Sequence, residues 1–282
     1  MGGDITGKVI VPIIQQGTNS FSAYFLSEKY NLDGLRKVEE LEERIRMVGF
    51  YPYRTNPSEW EEISANQQKF DALFTQLEIE SIRKWVKLAE ERLKSEGVKV
   101  YICPGNDDRI EVDEVLNEST YIVNPDGKAV DVNGYPMIGI GNSNITPWNC
   151  PRDVSEDVMA DKIDKLTSEI SNTRDAIFCV HIPPHGSGLD VAPQLDSNLK
   201  PVLGAGGKPI MISVGSTAVL KAIQKHQPLL GLHGHIHESR GVVRIGRTLC
   251  FNPGSEYSEG ILRGVLLDVE KGKVRDYLLT SG

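Results

Sequence analysis

The stretch Gly231-Leu-His-Gly-His-Ile-His-Glu238 places three of the chain's six histidines at alternate positions, His233, His235 and His237. Imidazoles so closely spaced suit a metal centre, and the rest of the chain supplies groups for them to work with. In an extended segment His235 and His237 project to one side, so both can serve one site. The apolar run PLLGL leads straight into the cluster, as a strand ending in ligands would.

Two other β-prone runs end in the same manner. VKVYIC runs into Pro104-Gly-Asn-Asp-Asp108, and AIFCV runs into His181-Ile-Pro-Pro-His185. With Asp4 in Gly2-Gly-Asp-Ile-Thr-Gly-Lys8, four polar clusters gather at predicted strand ends. Strand ends of α/β sheets are where ligands bind, because the backbone there holds side chains rigidly around a crevice. Imidazole, carboxylate and amide together suit Mn²⁺, Fe or Zn²⁺. Mixed N/O sites of this kind commonly hold two metals.

Composition narrows the field. The chain has 282 residues, a net charge of −8 and 39% hydrophobic residues, ample for a core. That charge argues against a broad grip on nucleic acid or an anionic membrane, which needs clustered Lys and Arg. No apolar run reaches the ~18 residues of a membrane span, and no signal peptide is visible. Cys103, Cys150, Cys179 and Cys250 form no C-x-x-C pair, so they read as buried thiols of a reduced, cytoplasmic protein.

Along the chain, GKVIVPII reads as a strand with SAYFL as its hairpin partner. Asp33 is a candidate cap for a helix carrying Leu35, Val38, Leu41, Ile45 and Val48. Ser58-Glu-Trp-Glu61 is a capping-box pattern. It opens a long helical stretch whose Trp60, Phe70, Phe74, Trp85 and Leu88 read as core. Helices are also predicted over 156–170 and from Ser216 to His226, and strands over GVVRI, TLCF, ILRGVLLDV and VRDYLL. With no repeat or linker, 1–282 reads as a single domain with a helical insertion at about 33–96.

Two other chemistries fail on their motifs. GGDITGK and LGAGGKP mimic a P-loop, but Val9 and Pro209 stand where Ser or Thr must follow the lysine. No G-x-S-x-G elbow of a serine hydrolase is present.

In order, "GGDITGK", "PGNDD", "VHIPP", "GLHGHIHES" and "FNPGSEY" resemble the motif blocks of the calcineurin-like metallophosphoesterases. The resemblance implies an α+β fold, a sandwich of two mixed β-sheets flanked by helices. It also implies hydrolysis of a phosphate mono- or diester by a metal-activated hydroxide, acting on a small phosphoester substrate. By the resemblance, Asp4 bridges two divalent metals, while Asn106, His181 and His235 complete the shell of one and His237 belongs to the other. His233 has no ligand role and is assigned to structure.

Two departures stand out. The family's leading D-x-H block has no counterpart before Asp4, which only three residues precede. The expectation is therefore an N-terminally truncated chain, or a start placed at an internal methionine, with one metal site nearly complete. A non-catalytic scaffold that keeps the fold is the alternative. Secondly, Asp107 stands where many members carry a catalytic histidine. A carboxylate beside cations stays ionised and is a poor general acid, so His185, four residues beyond His181, is the candidate proton donor. Asn252-Pro-Gly-Ser255 is expected to line the substrate side.

Overall fold

The structure, a computed structural model, describes residues 2–282. The chain divides into two compact units. One comprises Thr6–Leu88 with Tyr257–Gly260; the other takes the N-terminal segment through Ile5, Ala89–Glu256 and Ile261–Gly282.

The first unit is built on β1 (Ile10–Gln15), β2 (Ser20–Phe25), β3 (Glu28–Asp33), α1 (Leu35–Met47), β4 (Tyr51–Thr55), α2 (Pro57–Ser64) and α3 (Gln67–Leu93), the last running on into the second unit. Its sheet has the order β3-β2-β1-β4, with β1 and β2 antiparallel as the sequence predicts. The stretch 33–96 is not helical throughout, because β4 lies within it and pairs in parallel with β1. Neither expected cap is used. Gly34 precedes α1 without a side-chain bond, and the α2 cap is Asn56, just ahead of Pro57; the side-chain Oδ1 of Asn56 accepts the Glu59 N–H. Pro57 suits the first helical turn because its missing N–H has no partner there in any case. The long helical stretch breaks at Ala65–Asn66. Trp60, Phe70 and Phe74 pack with Ile10, Tyr51 and Leu73, whereas Trp85 and Leu88 are exposed rather than core.

The second unit continues with β5 (Val100–Tyr101), α4 (Glu111–Glu118), β6 (Ile122–Val123), β7 (Ala129–Val132), β8 (Tyr135–Ile140), β9 (Ser143–Asn144), β10 (Asp153–Val154) and α5 (Glu156–Ser168). There follow β11 (Ile177–Val180), β12 (Val191–Pro193), β13 (Met211–Ser213), α6 (Thr217–His226), β14 (Leu230–Leu232), β15 (Gly241–Ile245), β16 (Thr248–Asn252), β17 (Arg263–Glu270) and β18 (Lys273–Ser281). The fold is α+β, with mixed sheets and, among the described residues, six α-helices.

Its centre is a six-stranded sheet ordered β15-β16-β14-β11-β8-β7. Side-chain alternation splits each strand between two cores. Ile138, Ile140, Phe178, Val180 and Cys250 face α5 and α6, while Met137, Ile177 and Phe251 face the β17–β18 hairpin. Phe178 and Phe251 are fully buried, each contributing about 1.5–3 kcal/mol by leaving water. Helix α5 is capped by Ser155 and α6 by Ser216, and the carboxylate of Glu156 accepts the Thr217 and Ala218 N–H groups at the start of α6. Acceptors at a helix N-terminus satisfy donors that have no partner within the helix.

The consequence for function lies in direction. β16, β14, β11 and β8 are neighbours and mutually parallel. Their C-terminal ends therefore share one edge, and each runs directly into a polar loop.

Candidate metal centre

Asp4, His181 and His235 converge at that edge, each offering a ligand atom within 4.8 Å of the others. β11 ends one residue before His181, whose N–H bonds to Ile140 O of β8. β14 ends at Leu232, and the Gly234 N–H bonds to His181 O at 2.9 Å, tying the two histidine loops together. Asp4 arrives on a third segment, where Gly3 N donates to Cys103 O. The segments pack so closely here that a Cβ on Gly3 would collide with the His181 ring, and one on Gly105 with Asp4.

Several polar atoms of the cluster are buried without a hydrogen-bond partner. His181 Nδ1 lies 3.2 Å from Gly2 O. A carbonyl only accepts, so Nδ1 carries the hydrogen and Nε2 presents its lone pair. That Nε2 lies 3.3 Å from Asp4 Oδ2 yet has no hydrogen-bond partner. His235 Nε2 lies 3.3 Å from Ser143 Oγ, and its Nδ1 is buried without a partner. Asn106, 1% exposed, donates its Nδ2 to Asp153 Oδ1 at 2.9 Å and leaves Oδ1 buried and unmatched. Buried polar atoms are rarely left so. Two nitrogens and an amide oxygen lacking partners beside a carboxylate fit a divalent cation with a mixed N/O shell.

Backbone geometry adds a second sign. Asp4 and His235 both have positive φ, 44° and 61°. The Ile236 N–H closes on Gly234 O at 2.7 Å, making His235 the centre of a three-residue turn. Such turns with positive φ are rare and strained, and strain of this kind gathers at ligand clamps. The turn overrides the expected alternation: the segment is not extended after Leu232, and His237 stands outside the triad, close enough to His235 for its charge to be felt there.

Electrostatics separates the histidines. Burial pushes His181 down, but the Asp4 carboxylate and the Gly2 carbonyl outweigh it and leave it above the ordinary value. Burial, with His181 adding to it, pushes His235 down to about 3. His233 is pushed down to about 4 by burial, partly offset by its bond to Val180 O at 2.8 Å. His233 thus braces the ends of β11 and β14 as a neutral imidazole.

Its depressed value makes a prediction. The unfolded chain binds a proton at His233 below about pH 6.5, and the folded chain only near 4, so stability falls as pH drops through that window. Between pH 7 and 4.5 metal-free wild type should lose about 2–3 kcal/mol more than His233→Gln, read from urea denaturation at both pH values. Equal losses would remove His233 from the account.

The other expected residues fall as follows. The Asp107 main-chain N–H donates to Asp4 Oδ1 at 3.1 Å, while its side chain lies by the Cys150 thiol. His185 is half exposed, with Nδ1 3.9 Å from Asp190 Oδ2. Asn252 does not behave as a lining residue. It is fully buried and donates to Leu189 O and Ile236 O, bracing the histidine turn from beneath.

Three supporting carboxylates were not singled out from the sequence. Asp108 is fully buried and accepts the Ile5 and Gly105 N–H groups, locking the Asp4 segment to the Asn106 loop. Asp190 gathers the Gly186, Gly188 and Gly215 N–H groups. Asp153 holds Asn106. Only Asp108 had a sequence signal, its place in PGNDD.

No family model matches the chain. The uncharacterized protein MJ1162 of Methanocaldococcus jannaschii is 32% identical over 169 residues, 59% of this chain and 67% of that protein. The chain belongs to the same family as that archaeal protein. Among solved structures, TT1561 of Thermus thermophilus is 19% identical, with TM-score 0.47, over 72% of this chain and 79% of its own. The Thermus thermophilus sulfate thiohydrolase SoxB in complex with glycerol is 14% identical, with TM-score 0.36, over 87% and 41%. Both scores lie below 0.5. No helix among the described residues is long and apolar enough to cross a membrane.

Proposed function

We propose that this protein is a metal-dependent phosphoric ester hydrolase of the calcineurin-like type. The observation that carries the proposal is the triad of Asp4, His181 and His235 with three partnerless polar atoms around it. Asp4, His181, His235 and Asn106 Oδ1 would hold a divalent ion, with His237 reserved for a second. A bound ion supplies Lewis-acid polarisation of a phosphoryl oxygen and lowers the pKa of a water molecule. The chain's own part is positional. The Gly2 carbonyl fixes the His181 tautomer, Ser143 steadies the His235 ring, and the Asp107 N–H orients the Asp4 carboxylate. His185 is the proposed donor of a proton to the leaving oxygen.

The test is a panel of phosphomonoesters and diesters assayed after chelation and again with added Mn²⁺, beside calorimetric Mn²⁺ titration. Hydrolysis that vanishes on chelation and returns with Mn²⁺ is the expected result. Binding without turnover of any ester would favour the non-catalytic scaffold, and absence of binding would end the metal reading.

A further inference from the structure

We infer that Asp153 is the positioning residue that decides which end of the Asn106 amide faces the metal cluster. The inference rests on the metal reading of the cluster and concerns a residue that touches neither ion nor substrate. An asparagine ligates a cation only through its oxygen, and a side-chain amide flipped by half a turn presents N–H hydrogens instead. Something must therefore choose the orientation.

Asp153 makes the choice because every bond on its far side is already fixed. Its Oδ2 accepts the Thr146 N–H at 2.8 Å, the Thr146 hydroxyl at 2.5 Å and the Cys150 N–H at 3.0 Å. Two of those three donors are main-chain groups that cannot turn into acceptors. The remaining oxygen, Oδ1, meets Asn106 at 2.9 Å. A carboxylate has no hydrogen to give, so the Asn106 atom facing it must be the Nδ2 donor. The Asn106 Oδ1 is then turned the other way, where it is buried and unmatched. The loop that carries it is tied to the cluster by its next residue and by the charge of Asp153. The next residue, Asp107, gives its N–H to Asp4 Oδ1, and the Asp153 charge is felt at His235.

The sharpest consequence belongs to Asp153→Asn, which changes one atom and hardly any volume. The Thr146 and Cys150 donors keep the new amide's oxygen on their side, so its NH₂ faces Asn106. Two donors then confront each other, and the Asn106 amide flips to offer its oxygen. Its own NH₂ now points at the cation. Asp153→Ala removes the acceptor without imposing the wrong orientation, so the Asn106 amide can still rotate into place.

Mn²⁺ titration calorimetry on the full chain tests the inference, with the unfolding midpoint of each metal-free variant measured alongside. Asp153→Asn should weaken Mn²⁺ binding by about 10- to 100-fold, the usual consequence of losing a partner that orients a ligand. Asp153→Ala should weaken it less, although alanine is the more disruptive substitution for packing and hydrogen bonding. In an Asn106→Ala background, Asp153→Asn should have no further effect on affinity. An alanine variant that binds worse than the asparagine variant would assign Asp153 to loop structure alone. So would equal losses with and without Asn106. Wild-type protein that takes up no Mn²⁺ would strike at the metal reading itself, whereas wild-type binding with an unaffected Asp153→Asn would overturn only this inference.

Discussion

Asp4→Asn protein should bind Mn²⁺ roughly 30- to 4,000-fold more weakly than wild type and lose metal-dependent hydrolysis in proportion. Asp4 is the one anionic member of the triad, its side chain 13% exposed. Removing one partner of a buried charged pair costs about 2–5 kcal/mol, and each 1.4 kcal/mol is tenfold in affinity. Asparagine is the right replacement because Asp4 has φ 44°, a conformation that asparagine tolerates and alanine resists. The variant also keeps an oxygen to accept the Asp107 N–H. The metal-free protein supplies a control that does not depend on turnover. In wild type the His181 value is raised by Asp4. Its stabilisation is therefore present below about pH 6.5, the unfolded value, and is lost as pH rises through the raised folded value. Without the carboxylate that loss on the alkaline side should disappear. Mn²⁺ competes with the same proton, so wild-type affinity should rise with pH. Asp4→Asn protein that held Mn²⁺ as tightly as wild type would exclude Asp4 from the shell.

How much of this was legible in the sequence follows from what each residue's signal depends on. β11 and β14 are legible because each is a short apolar run that stops at a histidine, and α6 because its helical period is clear from Ser216 to His226. The approach of His181 to His235 is legible from order along the chain, since β11 and β14 are parallel neighbours and deliver their ends to one edge. Asp4, outside the strands, is legible only through the resemblance of its block. β4 was missed because Tyr51–Thr55 offers five residues between two helical patterns. Trp85 and Leu88 look like core in the sequence yet are exposed, because helical spacing shows which residues share a face, not whether another element covers it. The His235 turn was illegible for a different reason. Alternation argues from an extended backbone, and one residue at φ 61° cancels it. Asp153 had no local signal at all. It lies 47 positions from Asn106, and its role exists only once the loops around Thr146 and Cys150 have aimed donors at its other oxygen.

His185→Ala should slow phosphoesters with alkyl leaving groups by about 10²-fold or more, within the usual range for a general acid, and leave nitrophenyl esters almost untouched. On the proposed function, the need for a donor arises because Asp107, a carboxylate beside the metal cluster, would stay ionised and be a poor general acid. His185 is placed by its main chain, which donates to Ser216 O at 3.0 Å. The following turn is held by the Gly186 and Gly188 N–H groups on the fully buried carboxylate of Asp190, which also accepts the Gly215 N–H beside Ser216. That same carboxylate lies 3.9 Å from His185 Nδ1. The ring thus has one nitrogen facing a fixed anion, while the side chain remains 43% exposed, the arrangement a proton donor needs. An alkoxide departs only when protonated, whereas nitrophenolate leaves as the anion, so the comparison isolates proton delivery from binding. Mn²⁺ affinity should be unchanged in the variant, because His185 is not one of the triad. Equal slowing on both classes of ester would assign His185 to binding or loop structure and leave the leaving oxygen to take its proton from elsewhere.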